Sequence, residues 1–346
     1  MVFDNKNRNK IKVMFINLLF KLGFLQFLHY KNRHKICVLM LHGVMTAKKK
    51  SAWSPLRPQL EPEELERTLT LLSKSYQFIT VDQAIAMLQG KELFVDNPML
   101  ITFDDGYRNN IDYALPICKQ FGIKPIIFLS TKHVDSGMPF WFDRLDFALQ
   151  QNMGDVITMS YSGQNYSFDA TSRIALTKSF KQFRDEVKCA YSDDIEMDHL
   201  FNSLSGELEK RAGKALKDIC QKDDWSAIVS WQQLRDQVKS GSLDIGSHTL
   251  DHWRLDSLNE VQILSQLKQS KVSIEDELTV QCDYFCYPNG NYNKIAKRLV
   301  QDTGYLAAFS TDVGLCKIQD DLMTLKRFNF PAHKTKSELL YLLNTK

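Results

Sequence analysis

The sequence predicts an α/β protein built on a parallel sheet covered by helices. Three observations carry this: apolar runs of strand length recur along the chain, amphipathic helical segments alternate with them, and two chemically distinctive clusters each follow directly on such a run. The chain has 346 residues, of which 25% are charged and 44% hydrophobic, the balance of a soluble globular protein and not of a disordered or fibrous one. At this length a closed or distorted β/α barrel and an open doubly wound sheet both fit.

The N-terminal segment stands apart by charge. Residues 1–50 hold eleven of the 44 Lys+Arg and one of the 41 Asp+Glu, a charge of +10, which leaves −7 on the remaining 296 residues. A body of that sign excludes nucleic-acid binding as its main business, since phosphate neutralisation needs a basic surface. Val13–Leu28 is mostly apolar, interrupted by Asn17, Lys21 and Gln26 and flanked by Lys10, Lys12, Lys31, Arg33 and Lys35. Lys21 at its centre disfavours a spanning helix. The run into Gln26, Phe27, His29 and Tyr30 lacks the small residues of a signal cleavage site. Lys10, Asn17 and Lys21 fall on one helical stripe, a pattern suited to a helix in a membrane interface with basic flanks toward anionic lipid. A helix packed on the protein's own core is the alternative, and an uncleaved signal anchor a third. Lys48–Lys50 is read as a solvated loop.

Ile36–Leu41 is the first apolar strand, and Glu61–Tyr76 a helix with Pro62 in its first turn. A short strand at Gln77–Val81 and a short helix at Asp82–Gln89 follow, then strand Met99–Phe103, helix Asn110–Phe121 and strand Pro125–Leu129. The rhythm resumes at strand Leu243–Gly246, helix Glu260–Leu278, strand Tyr284–Tyr287, helix Lys294–Gly304 and strands Leu306–Ser310 and Met323–Phe328. Residues 131–240 interrupt it with an aromatic patch (Phe140, Trp141, Phe142), a hairpin-like alternation over Asp155–Ala170 and a charged helical stretch. This is read as an insertion packed over one end of the barrel, with a separate small domain as the alternative. Seven cysteines without a C-x-x-C pair exclude a complete disulfide framework and support no metal ribbon. Cys282 and Cys286 are expected on one strand face as small core residues.

The chemistry sits after two strands. Thr102-Phe103-Asp104-Asp105-Gly106 offers two adjacent carboxylates where loops of a β/α fold converge, so that one can bind a metal while the other accepts a proton. Ser247-His248-Thr249-Leu250-Asp251-His252 offers two imidazoles four residues apart, expected on one face of a helical turn, and with a carboxylate they form a facial set that leaves positions open for water and substrate.

Together the two motifs, TFDDG and SHTLDH, resemble those of the polysaccharide deacetylase family, the carbohydrate esterases with the NodB homology domain, over roughly Ile36–Phe330. The resemblance implies a distorted (β/α)7 barrel that hydrolyses N-acetyl groups on amino sugars with a divalent metal, most commonly zinc. It implies Asp104 as general base and Asp105, His248 and His252 as metal ligands. The family's general-acid histidine belongs to a late motif, and His333 in Phe330-Pro331-Ala332-His333 does not match its context. Leu39-Met40-Leu41-His42-Gly43-Val44 resembles the circularly permuted poly-N-acetylglucosamine deacetylase branch, which places that histidine near the N-terminus, and so assigns His42. The usual Arg-x-Pro-Tyr motif is replaced by Cys286-Tyr287-Pro288-Asn289-Gly290, and Arg327, at the end of the last strand, is the candidate to take the missing arginine's place. Tyr287, Pro288 and Trp253 are expected to contact substrate, with Trp231 a further stacking candidate. His29, His34, His133 and His199 have no partner motif and read as ordinary surface or interface residues.

The expected organisation is a leader at 1–35, a barrel at 36–330 with the insertion at about 131–240, and a C-terminal helix at 331–346. The expected function is removal of N-acetyl groups from a polysaccharide or lipid-linked oligosaccharide by a protein held at the cytoplasmic face of a membrane. A same-fold amide hydrolase acting on a small non-glycan amide and a catalytically silent carbohydrate-binding relative are the alternatives.

Overall fold

The computed structural model describes residues 2–46 and 53–345, with side chains from residue 10 onward. Lys48–Lys50 lie outside the described residues. The chain opens with α1 (Val2–Lys21) and α2 (Phe24–Lys31), then β1 (Cys37–Leu41), α3 (Pro62–Leu72), β2 (Gln77–Phe78), α4 (Val81–Leu88) and β3 (Pro98–Phe103). A π-helical turn at Asn110–Ala114 runs into α5 (Leu115–Gln120), followed by β4 (Ile126–Leu129).

Between β4 and the next barrel strand lie α6 (Thr131–Ser136), α7 (Trp141–Gln150), the hairpin β5 (Val156–Tyr161) and β6 (Gln164–Asp169), α8 (Arg173–Ala190), α9 (Asp194–Ala212) and α10 (Trp231–Lys239). The barrel continues with β7 (Asp244–Ser247), α11 (Glu260–Leu278), β8 (Tyr284–Cys286), α12 (Lys294–Asp302), β9 (Ala307–Phe309) and β10 (Phe328–Asn329), and α13 (Lys336–Asn344) follows.

The large sheet is parallel throughout, in the order β10-β1-β3-β4-β7-β8-β9, with β2 on the N-terminal half of β3. It curls until its ends nearly meet. Leu325 bridges Phe309 of β9, while Phe330 N–H donates to the Met40 carbonyl of β1, so the segment around β10 closes the barrel loosely. This is the distorted seven-stranded barrel, with β2 as a short addition. The strands β1, β3 and β4 are buried along their whole length, which is why they read as continuous apolar runs rather than alternations.

Alternate residues divide two cores. Leu39, Ile101, Ile127 and Phe285 pack outward against the helices, whereas Val38, Leu100, Phe128, Cys286 and Phe309 fill the barrel. The division corrects one expectation: Cys282 lies before β8 in the outer core and Cys286 faces inward, so the two do not share a face. The insertion has an apolar cluster of its own, built from Leu145, Ile157, Phe168, Phe183, Leu200 and Phe201.

The leader packs on α13 through Ile16 and Leu25 against Leu340, and Ser337 donates to Asn17 at 2.7 Å. Asn17 therefore engages the protein, and the expected polar stripe is divided. The opposite side leaves Ile11, Met14, Phe15, Leu18, Leu22 and Phe27 exposed, among Lys10, Lys12 and Lys21.

Candidate active site

Both motifs are built by strands that end abruptly. Asp104 N–H donates to Leu41 O at 2.9 Å, continuing the β1–β3 ladder, after which Asp105 and Gly106 take φ of 78° and 86°. A Cβ on Gly106 would stand 2.9 Å from Leu129, so both space and backbone favour glycine there. His248 N–H donates to Leu129 O, continuing the β4–β7 ladder, and Thr249 and His252 then adopt left-handed conformations. The two histidines therefore converge through a strained loop and not through the expected helical turn. Gln266 of α11 fixes that loop by accepting from the N–H groups of Leu250 and Asp251 and donating to the Asp251 carboxylate.

The loop brings His248 Nε2 to 3.7 Å and His252 Nε2 to 3.3 Å from Asp105 Oδ1. His248 Nδ1 lies 2.7 Å from Cys286 O, a contact in which the ring nitrogen must donate, and this leaves Nε2 bare toward Asp105. Burial and the neighbouring His252 pull the His248 imidazole down to about 4, which keeps it neutral. Burial alone would raise the Asp105 carboxyl, but the His252 hydrogen bond and electrostatic interaction with the surrounding imidazoles hold it far below the usual range. Two imidazole nitrogens and a carboxylate within 4.8 Å of one another fit a divalent cation. Asp104, His248 and Cys286 also cluster, yet they fit one poorly, because Asp104 is occupied and burial keeps the Cys286 thiol protonated.

What occupies Asp104 is Arg327. Its Nη1 and Nη2 donate to Oδ1 and Oδ2 at 2.7 and 2.8 Å, while Nε donates to Ser310 O and Nη1 also to Thr102 Oγ1. Cys286 Sγ lies 3.1 Å from Nη2. Burial would raise the Asp104 carboxyl, and the Arg327 charge and hydrogen bonds overcome this to hold it below its ordinary value. Arg327 is itself 1% exposed, so the pair is a fork-to-fork contact inside the barrel.

Above these groups opens a cavity of about 580 Å³. His42, just past β1, lines it and is exposed, close enough to interact electrostatically with both Asp104 and Asp105. His333 also lines it, with a side chain 77% exposed and Nδ1 3.3 Å from Glu64. Trp253 and Tyr287 line it, but the Tyr287 hydroxyl already donates to Met323 O. Pro288 is buried away from the cavity and Asn289, at φ 56°, takes its place. Trp231 is also absent from the cavity and donates to Asp135 instead.

Several contributors escaped the sequence. Trp141 and Phe142, noticed only as part of an aromatic patch, line the cavity, and Trp141 stacks on Phe201. His133 is not an ordinary surface residue. Its ring packs 4.0 Å from Phe140, whose edge meets His252, and burial lowers it to about 4. Arg57 donates to the Tyr107 hydroxyl at 2.7 Å and pairs with Asp143 at 2.9 Å, and Tyr107 donates to Asp143 at 2.6 Å. These residues come from four places in the chain and share no spacing that could have announced them.

Comparison with known proteins agrees with this geometry. A family model described as polysaccharide deacetylase matches residues 202–308, which include both histidines but not the Asp104–Asp105 pair. YxkH of Bacillus subtilis (strain 168), which carries a polysaccharide deacetylase name, is 21% identical over 294 residues, 85% of this chain and 70% of its own. The structure of the Streptococcus pyogenes deacetylase PplD in complex with acetate superposes with a TM-score of 0.58 at 15% identity, over 89% of this chain and 98% of that one. IcaB from Ammonifex degensii gives 0.54 at 15% identity over 89% and 96%, and the de-N-acetylase from Aggregatibacter actinomycetemcomitans 0.55 at 15% over 89% and 100%. The curled parallel barrel, with two aspartates and two histidines at its strand ends, has the fold of these NodB-type deacetylases. The match to the polysaccharide deacetylase family model lies in residues 202–308, and the rest of the likeness is one of fold.

Proposed function

We propose that the chain is a metal-dependent hydrolase that removes N-acetyl groups from an amino-sugar-containing polysaccharide or a lipid-linked oligosaccharide. The observation that carries this reading is the meeting of a three-donor set, Asp105, His248 and His252, with the ion-paired Asp104 at the floor of one glycan-sized cavity. A divalent ion held by those three residues, zinc by the preference of such a nitrogen and oxygen set, supplies Lewis acidity toward the amide carbonyl and makes a water more acidic.

The rest falls to the chain. Asp104 accepts the proton of the attacking water, and Arg327 keeps its carboxylate ionised and fixed in orientation. His42, at the exposed side of the cavity, gives a proton to the nitrogen as the carbon–nitrogen bond breaks. The products are acetate and a free amino sugar. Tyr287 contributes its ring and backbone to the cavity rather than its hydroxyl, and Trp253 and Trp141 offer faces on which a sugar can stack.

Metal content and acetate release from N-acetylglucosamine oligomers, measured on wild type and His252→Ala, test the reading. Wild type should hold metal and release acetate, and the variant should lose both. A wild type that is metal-free and inactive overturns it. Acetate release from a small amide alone would favour the non-glycan alternative.

We also propose that the leader holds the protein on the cytoplasmic face of a membrane. No single described helix is long and apolar enough to cross one, and α1 and α2 pass together only as a pair bent by 72°. The exposed apolar side of this pair, with Met14 at 71% and Leu22 at 72% exposure beside basic residues, supports a helix lying in the interface. Sedimentation with anionic vesicles should carry the full chain down. Unchanged sedimentation after removal of residues 1–30 overturns docking by this segment.

A further inference from the structure

The wall of the cavity opposite the barrel comes from α8 and α9 of the insertion, and its charges are unbalanced. Arg184 and Lys188, one turn apart on α8, both line the cavity. Arg184 has no carboxylate within ion-pairing distance among the described residues, and its Nε is buried without a hydrogen-bond partner. Lys188 donates to Asn289 Oδ1 at 2.9 Å, a neutral acceptor on the loop that follows β8. The wall is rigidly placed. Arg254 donates to the carbonyls of Lys188 and Tyr191 and forks onto Asp194, which fastens the end of α8 and the start of α9 to the rim just past His252.

The nearby acids do not neutralise this pair. Asp194 is engaged by Arg254, and Asp143 by Arg57 and Tyr107. Asp198 lines the cavity from α9, but its charged neighbours are Asp251 and Lys132 rather than the α8 cations. Asp185, next to Arg184 on α8, is exposed; it acts on both cations but forms an ion pair with neither. Cations held in a partly desolvated cavity repel one another: burial and the charges of Arg184 and Arg254 pull the Lys188 amine down to about 8, and burial and Arg57 lower the Arg184 guanidinium. An anion between Arg184 and Lys188 would offset the repulsion.

We propose that Arg184 and Lys188 form an anion subsite within the glycan cavity, so that the substrate carries a carboxylate or phosphate close to the N-acetyl group removed. The inference rests on the deacetylase reading for the place of the glycan but not for the binding of the anion. The subsite lies on the inserted helix, so it adds selectivity without altering the groups at the strand ends.

Binding to the full-length wild type tests it with oligomers that carry no amide and cannot be turned over. The probes are cellotetraose, tetragalacturonate and cellotetraose 1-phosphate, titrated at low salt. At least one anionic probe should bind tenfold or more tighter than cellotetraose, and which one does so separates carboxylate from phosphate recognition. Arg184→Gln and Lys188→Gln, made singly so that a misfolded variant can be set aside by its thermal transition, should bring that ratio to within about threefold of unity. Equal binding of all three probes by wild type, or an unchanged ratio in both folded variants, overturns the subsite. Acetate release is scored separately. Preferential anion binding without acetate release from any N-acetylated oligomer would sink the deacetylase reading and leave the subsite standing.

Discussion

Arg327 shows what a single side chain can decide. It lies 223 residues from Asp104 in the chain and forks onto it inside the barrel. Truncation would leave a carboxylate buried and unpaired, which costs about 3–5 kcal/mol in such settings. Arg327→Ala is therefore expected to lower both thermal stability and acetate release, the latter at least a hundredfold, while metal content stays near that of wild type. Arg327→Lys should recover stability in part and activity little, because an ammonium cannot make both in-plane bonds. Metal content, melting temperature and acetate release on the two variants check this, and an unchanged rate with unchanged metal in Arg327→Ala would refute the role. The family resemblance offered this arginine in place of the missing one that orients the base, and the closure of the barrel supplies the contact with Asp104. Cys286 is a similar case: read as a core residue, it lies against both members of the pair because β8 turns it inward.

At the scale of elements, the site depends on how tightly strands and loops approach one another. A Cβ on Gly246 of β7 would stand 2.5 Å from the Phe128 ring and 2.8 Å from Tyr284 O, and neither neighbour has room to move. Gly246→Ala should cost about 1–3 kcal/mol, in the range of overpacked cores, and should disturb His248 two residues on. Chemical denaturation together with metal content reads both effects. Gly290, at φ 77°, is tighter still, since an added Cβ would meet Thr311 Oγ1 at 2.0 Å. The strand ends were legible because each motif is contiguous and follows an apolar run. The histidine loop was misjudged: spacing of four suggests a helical turn, and the positive φ of Thr249 and His252 has no signature in residues that seldom adopt it.

Across the whole molecule, the insertion is joined to the barrel by buried polar groups as well as by apolar contact. Asp146 of α7 accepts from Leu56 N–H at 2.8 Å and from Gln150, and burial raises its carboxyl to about 7. The folded chain therefore holds a proton there that the unfolded chain releases near pH 4. This contribution to stability is fully present below about pH 4 and is lost as pH rises toward 7, with a few kcal/mol at stake on the scale of about 1.4 kcal/mol per unit of displacement. Asp146→Asn should flatten the fall in denaturation free energy between about pH 4 and 7, and a variant with the same slope as wild type would show that Asp146 does not produce it. The anion subsite belongs to this scale too, because α8 reaches the cavity only through the docking of the insertion. Sequence alone marked residues 131–240 as an interruption without telling which of their side chains face the barrel.

The sequence by itself determined the parallel α/β class, the two strand-end clusters and the charge division between leader and body. Each of these is local, carried by periodicity, contiguous motif or composition. Tertiary structure alone decided that Arg327 and Cys286 meet Asp104, that Trp141 and Phe142 wall the cavity, that Trp231 and Pro288 do not, and that one side of the leader packs on α13 while the other stays bare. Those facts depend on contacts between residues tens to hundreds of positions apart. They are set by barrel closure and by the seating of the insertion, and no local pattern encodes them.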